Sequence, residues 1–287
     1  MDGQKIAENR PALIGLTVLV AATLLVFGLV FFDLGSVFSD DGETPPQVVA
    51  PEDPSTDNTD NVSEQIAEFR NMMNYYRTRL DSPYLIFVNE QNPLPEGYTV
   101  ELASVNGADG TLRLDRAAAA SMNSFLTAAE NAGYSVSLQS AYRTEAEQKK
   151  VYDNAVSGYV KGGYSTAEAK SMAAAAVGSV NCSEHQLGLA VDFDPRCLTQ
   201  TGNDGTTFES YLTSHIYKYG FILSFPESDP AKEATGRDAN TGHYRFVGIE
   251  VAQDMQERRY ATLPEYRAYL TAQITYCQQQ IEALEKK

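Results

Sequence analysis

From Pro11 to Phe32 the chain carries no charged side chain and is dominated by Leu, Val, Ala and Phe. At about 1.5 Å rise per residue, a helix over this stretch spans about 33 Å, enough for a bilayer core. Lys5 and Arg10 precede it, and Asp33, Asp40, Asp41 and Glu43 follow it. Basic residues stay inside, so the pattern predicts a cytoplasmic N-terminus at 1–10, a membrane anchor at 11–33 and an extracytoplasmic remainder. A cleavable signal peptide is the alternative. Its apolar region is normally shorter, and Gly35-Ser36-Val37-Phe38-Ser39 is a poor cleavage site. Residues 34–62 have no apolar period, and between Gly35 and Asn61 they hold seven acidic side chains and no basic one. That composition cannot bury enough surface to offset ordering entropy, which predicts a disordered, self-repelling tether.

Helical spacing returns at Ile66, Phe69, Met72, Met73, Tyr76 and Leu80, predicting an amphipathic helix over Ser63–Leu80 within a segment 63–83. Tyr84–Val88 reads as a strand, closed by the turn-forming Asn92–Gly97. Asp115 is a good N-cap for an Ala-rich helix that Gly133 stops. A strand at Tyr134–Leu138 leads into Ser140-Ala141-Tyr142-Arg143. Thr144 and Glu147 then form a capping box for a helix to about Val156. After Gly162-Gly163, Ser165 opens a further helix. Phe208–Tyr219 reads as a helix, Gly220–Leu223 and His243–Gly248 as strands, Pro226–Asn240 as a polar excursion, and Pro264–Ala283 as a closing helix. Helices interleaved with short strands, with no βαβ rhythm, predict an α+β domain over 84–262 and a C-terminal helix over 263–287.

The segment from Ser183 to Asp192 reads differently from its surroundings. From Leu187 on, its period is two: Leu187, Leu189 and Val191 on one face, Gly188, Ala190 and Asp192 on the other. A carboxylate on a face cleared of bulk suits approach to a metal; a strand with a solvated Asp at its end and a surface His before it is the plainer alternative.

The net charge of −16 argues against a nucleic-acid partner, since phosphate binding needs clustered Lys and Arg. Three cysteines are too few for a disulfide scaffold or a paired Cys-x-x-Cys zinc site. In an oxidising compartment Cys182–Cys197 is the plausible pair; two buried thiols are the alternative. Of the three histidines, His215 sits in a helix beside Ile216 and Tyr217 and reads as structural. His185, Asp192 and His243, on two strand-like segments, suit a zinc site with three protein ligands and a fourth place left open. Zinc there lowers the pKa of water toward ~7 and polarises a carbonyl.

Ser183-x-His185-x-x-Gly188-x-Ala190-x-Asp192, followed by His243-Tyr244-Arg245-Phe246-Val247-Gly248, resembles the VanY-type zinc D-alanyl-D-alanine carboxypeptidases. The likeness runs from roughly Tyr84 to Gly248 and includes Val88-Asn89, Asn92–Pro95, Ser140–Arg143, Gln148 and Tyr219–Leu223. It implies a small antiparallel sheet with surrounding helices, and a zinc peptidase trimming terminal D-alanine from peptidoglycan stem peptides. By that resemblance the ligands are His185, Asp192 and His243. Arg143 would hold the substrate's terminal carboxylate, a task suited to a bidentate guanidinium. Ser183 would donate to the scissile region, or simply form a turn. Gln148 would line the pocket or lie on a helix surface. Before the second histidine the family has Glu-Pro-Trp-His, with that Glu the general base; here the residues are Asn240-Thr241-Gly242-His243. An amide accepts no proton, so base catalysis of about 10² to 10⁴-fold is at stake. Asp238, and more loosely Glu233, are the substitutes within reach, unless both are solvated loop acids. The family also often has Arg where Ser224 stands. The sequence therefore carries three readings: an active enzyme, an impaired homologue that binds zinc and wall peptide, and, if no metal site forms, a tethered structural or partner-binding module.

Overall fold

A computed structural model describes residues 57–105 and 112–286. The expected membrane anchor at 11–33 and the tether up to residue 56 lie outside the described residues. Among those that are described, no helix is long and apolar enough to cross a membrane.

The elements in chain order are α1 (Asp57–Leu80), β1 (Leu102–Ser104), β2 (Arg113–Asp115), α2 (Arg116–Asn131), β3 (Leu138–Ser140), α3 (Glu145–Lys161) and α4 (Thr166–Val177). They continue with β4 (Ala190–Phe193), α5 (Phe208–His215), β5 (Phe221–Phe225), α6 (Asp229–Thr235), β6 (Asn240–Phe246), α7 (Ile249–Arg258) and α8 (Leu263–Leu284). The strands β1 and β2 pair by themselves, and the other four form an antiparallel sheet in the order β3-β4-β6-β5. The class is α+β, as expected.

The sheet's two faces divide the labour. Leu189, Val191, Phe193, Tyr244 and Phe246 share one buried cluster with Ala118, Met122, Phe125 and Ala129 of α2. Alternation sends Ala190, Asp192, His243 and Arg245 to the other face. A second cluster joins Tyr76 of α1, Met255 of α7, Leu263, Tyr266 and Leu270 of α8, and Ile222 of β5. The segments before residue 84 and after 262 therefore belong to the same compact unit as the sheet.

Capping residues set several helix starts. Asp115 accepts from the backbone N–H groups of Ala117 and Ala118, and Thr144 and Ser165 each complete a capping box. α1 begins at Asp57, six residues before the expected Ser63, because polar residues extend an existing helix at little cost once it is nucleated.

Three expected strands fall elsewhere. Tyr84–Val88 is apolar enough for a strand, but Pro83–Leu85 is a 3₁₀ turn and the following backbone has other partners. The carbonyls of Tyr84 and Ile86 accept from Arg245, and that of Leu85 from Arg267. The strand expected at Tyr134–Leu138 forms at Leu138–Ser140, because Tyr134 is drawn among Phe208 and Tyr211. The period-two stretch from Leu187 is broken by Gly188. Glu184–Leu187 is a 3₁₀ turn, and Gly188 follows with φ +74°. A Cβ at Gly188 would lie 3.0 Å from Val100 Cγ2 and 3.2 Å from the Asp115 amide, so only glycine fits that corner. The strand then starts at Ala190. The polar excursion after β5 also contains a helix, α6.

The expected Cys182–Cys197 disulfide is not formed; all three cysteines are buried free thiols. Cys197 Sγ lies against the Ser137 backbone, accepting its N–H at 3.3 Å, whereas Cys182 sits beside Ser179 and Glu90. Denatured without reductant, the full chain is expected to alkylate at three cysteines by mass spectrometry. Missing label at Cys182 and Cys197 together would reinstate the pair.

Candidate metal centre

Cross-strand register assembles the centre. Ser140 of β3 pairs with Asp192 of β4, and Asp192 with His243 of β6, so the three lie in one row across the sheet. Directly opposed residues point to the same side. The 3₁₀ turn at Glu184–Leu187 then brings His185 against Asp192, the middle member of that row.

One ligand atom from each of His185, Asp192 and His243 lies within 4.8 Å of the others. His185 Nε2 is 3.0 Å from Asp192 Oδ2, and His243 Nδ1 is 2.8 Å from Asp192 Oδ1. Both imidazoles are oriented from behind. His185 Nδ1 donates to the Ala141 carbonyl at 2.7 Å, and His243 Nε2 lies 3.0 Å from Glu184 Oε2. Phe225 stacks on the His243 ring with centroids 4.7 Å apart.

The His185 contact carries chemical information. A carbonyl only accepts, so the Nδ1 facing Ala141 bears a proton. Burial lowers the His185 pKa, and although Asp192 opposes this, the ring is neutral. Its Nε2 therefore presents a lone pair to a carboxylate oxygen at 3.0 Å, an arrangement that calls for a cation between them. Donors around a tetrahedral zinc with bonds of about 2.0–2.2 Å are about 3.4 Å apart. The donor set fits zinc, with contacts of 3.0 and 2.8 Å that would open by a few tenths of an ångström to admit it, and the carbonyl and carboxylate behind the rings are the outer partners such ligands use.

Electrostatics around the centre are strongly coupled. Burial works to raise the Asp192 pKa, but His185 and His243 overcome it and hold the carboxyl well below its usual range. For His243 burial works downward, while Asp192 and Glu184 prevail and raise it to about 9. Glu184 behaves likewise: burial raises its pKa, and Arg245 with His243 drives it far below the ordinary carboxylate value.

The predicted substrate residues gather at the same place. Arg143 Nη2 donates to Asp192 Oδ2 at 2.9 Å, Nε to Ser140 Oγ at 3.0 Å and Nη1 to Gln148 Oε1 at 3.1 Å. Gln148 is fully buried, and its Nε2 donates to the carbonyls of Val177 and Gly178. It braces Arg143 instead of lining an open pocket. Arg143 borders a cleft of about 350 Å³ with Tyr98, Tyr142, Glu145, Asn181 and Gln186. Ser183 is buried, and its hydroxyl accepts no cap hydrogen bond from the turn that follows.

The acid–base candidates have partners of their own. Asn240 is exposed at the start of β6 and its Oδ1 accepts from the Gly242 amide at 3.1 Å. The Asp238 carboxylate pairs with Lys232 at 2.8 Å, half-exposed, and Glu233 is on the solvent side of α6. His215 stacks on Tyr211. Sequence reasoning missed Glu184 and Arg245, although both stand inside the matched motifs. A charged residue beside a metal-ligating His in an otherwise apolar stretch was the available signal.

A His–Asp–His centre on a small antiparallel sheet, beside a half-buried arginine and a cleft, fits a zinc site with three protein ligands. The comparisons narrow it. The VanY family, described as D-alanyl-D-alanine carboxypeptidase, matches residues 111–249. A D-alanyl-D-alanine carboxypeptidase of Enterococcus faecalis is 37% identical over 168 residues, covering 58% of this chain and 60% of that protein. The chain thus spans less than two thirds of that relative's length. The structure of VanYB in complex with D-alanine-D-alanine aligns with a TM-score of 0.56 at 36% identity, over 64% of this chain and 96% of that one. A VanY D,D-pentapeptidase variant in complex with Zn(II) aligns with the same TM-score and identity, over 64% and 99%. The chain belongs to the VanY D-alanyl-D-alanine carboxypeptidase family, and zinc is the cofactor its centre fits.

Zinc binding at Nδ1 displaces a proton that His243 holds below about pH 9. Titration calorimetry at pH 7 in buffers of different ionisation enthalpy is expected to show about one proton released per zinc. The release should fade as pH passes about 9, and His185→Ala should abolish high-affinity uptake. Zinc uptake without proton release would contradict these assignments.

Proposed function

We propose that the chain is a zinc carboxypeptidase that removes terminal D-alanine from peptidoglycan stem peptides. Residues 11–33 anchor it in the membrane, and the tether gives the extracytoplasmic domain reach into the wall. The observation that carries the proposal is the half-buried Arg143 beside the His185–Asp192–His243 centre, at the edge of a cleft. An exopeptidase must find a chain end, and a guanidinium next to the metal recognises the terminal carboxylate one residue from the bond to be cut. Gln148 and Ser140 preorganise that guanidinium, lowering the ordering cost of substrate binding. The Ser183 hydroxyl is the donor for the scissile region. A bound zinc ion supplies Lewis acidity there, polarising the carbonyl under attack.

A second reading, that the chain binds zinc and wall peptide without cleaving it, has specific support. Asn240, three residues before His243 where the resemblance puts the family's base, carries an amide that hydrogen-bonds and takes up no proton. Asp238 is paired with Lys232, and Glu184 is committed to His243 and Arg245. The chain keeps the groups that bind and lacks the usual group that removes a proton.

Full-length protein loaded with zinc is to be incubated with a pentapeptide ending in D-Ala-D-Ala, and D-alanine release measured. The enzyme reading expects release that disappears in His185→Ala. The impaired reading expects little release, raised about 10² to 10⁴-fold by Asn240→Glu. Failure of both proteins to bind or cleave the peptide would overturn the proposal.

A further inference from the structure

We infer that Glu145 selects the third residue of the stem peptide, pairing with the side-chain ammonium of a diamino acid two places before the terminal D-alanine. The inference rests on the proposed carboxypeptidase reading and deepens it.

Glu145 opens α3, two residues after Arg143, and borders the same cleft. The other residues of that first turn are committed to each other. The Glu147 carboxylate takes both the N–H and the hydroxyl of Thr144, closing the capping box. The Glu145 carboxylate is exposed and has no hydrogen bond or ion pair among the described residues. Of the described residues that border the cleft, Arg143 is the one other with a charge. Three of its five N–H groups go to Ser140, Gln148 and Asp192. One N–H remains on each terminal nitrogen, enough for a single carboxylate.

The cleft therefore offers a cation and an anion at short spacing. Two residues of extended chain cover about 7 Å, so the Cα atoms of Arg143 and Glu145 are at most that far apart. The same two-residue step separates the terminal D-alanine of a stem peptide from its third residue. Residues two apart in an extended chain also send their side chains to one side. A peptide held by its end at Arg143 thus brings its third side chain to the flank on which its last one lies. The cleft, at about 350 Å³, has room for it.

Charge complementarity sets the class of that side chain. An uncommitted carboxylate attracts an ammonium and repels a second carboxylate. Tyr98 and Tyr142 also border the cleft, and their rings attract a cation that approaches their faces. Tyr98 is anchored by its hydroxyl, which donates to the Leu187 carbonyl at 2.9 Å. Asn181 has φ +66°, a left-handed backbone that a non-glycine residue keeps only where its surroundings hold it. Its N–H donates to Gln186 Oε1 at 2.7 Å, and its carbonyl accepts from the Leu94 amide at 2.6 Å. Those three residues are all part of the cleft wall, so its shape is set before a peptide arrives.

Zinc-loaded full-length protein is to be titrated with L-Ala-D-Glu-L-Lys-D-Ala-D-Ala and with the same peptide acetylated on the lysine Nε. Calorimetry gives the affinities; kcat/KM replaces them if the peptides are cleaved. The free-amine peptide is expected to be favoured about 3- to 10-fold at low salt, and less at about 0.5 M salt. Glu145→Gln is expected to erase the preference, weakening the free-amine peptide and leaving the acetylated one as it was. Zinc uptake by this variant should match wild type, because the side chain it alters has no partner in the fold. Equal values for the two peptides, or a preference that survives in Glu145→Gln, overturns the inference and leaves the carboxypeptidase reading standing. Failure of both peptides to bind overturns that reading and the inference together. The dipeptide D-Ala-D-Ala, whose ammonium is its N-terminus, separates the other source of the same chemistry. If Glu145→Gln weakens the dipeptide and spares the pentapeptide, the assignment to the third residue is overturned.

Discussion

The centre depends on one carboxylate that meets three side chains at once. Asp192 meets His185 through Oδ2, His243 through Oδ1 and Arg143 through Oδ2. Each of these groups comes from a different part of the chain: a 3₁₀ turn, a neighbouring strand and the segment after β3. Removing such a carboxylate leaves buried charge without a partner, which is strongly destabilising. The sheet's register sets this residue opposite both Ser140 and His243. Its far face, packed on α2, supplies the apolar burial that offsets so polar an assembly.

Around that carboxylate the molecule maintains binding chemistry with care. Both imidazoles are oriented from behind, the arginine is braced by Gln148, and Gly178 allows close approach of Arg237. A Cβ at Gly178 would lie 2.5 Å from the Arg237 guanidinium, which bonds the Ala174 and Cys182 carbonyls and so steadies the loop leading to Ser183. The segment from Arg237 to Gly242 puts an amide at the start of β6 and pairs its one acid with Lys232.

Much of this was legible in the residues. The caps at Asp115, Thr144 and Ser165 announced their helices because capping is local chemistry. His185, Asp192, His243 and Arg143 stood out through the family motif, and the face cleared by Ala190 does carry the centre. What escaped was set by contacts distant in sequence. Tyr84–Val88 looks like a strand until Arg245 and Arg267 take its carbonyls. The alternation from Leu187 hides a left-handed glycine, since the pattern of burial is the same on either side of the corner. Glu184 stood beside His185 in the sequence, but its contacts with His243 and Arg245 exist only when β6 lies beside it.

Zinc K-edge X-ray absorption on the full-length, zinc-loaded protein tests the central claim most directly. The account predicts two imidazole nitrogens and carboxylate oxygen at about 2.0–2.2 Å, with imidazole scattering that falls by half in His243→Ala. A sulfur shell at about 2.3 Å, or a shell of oxygens alone, would contradict it.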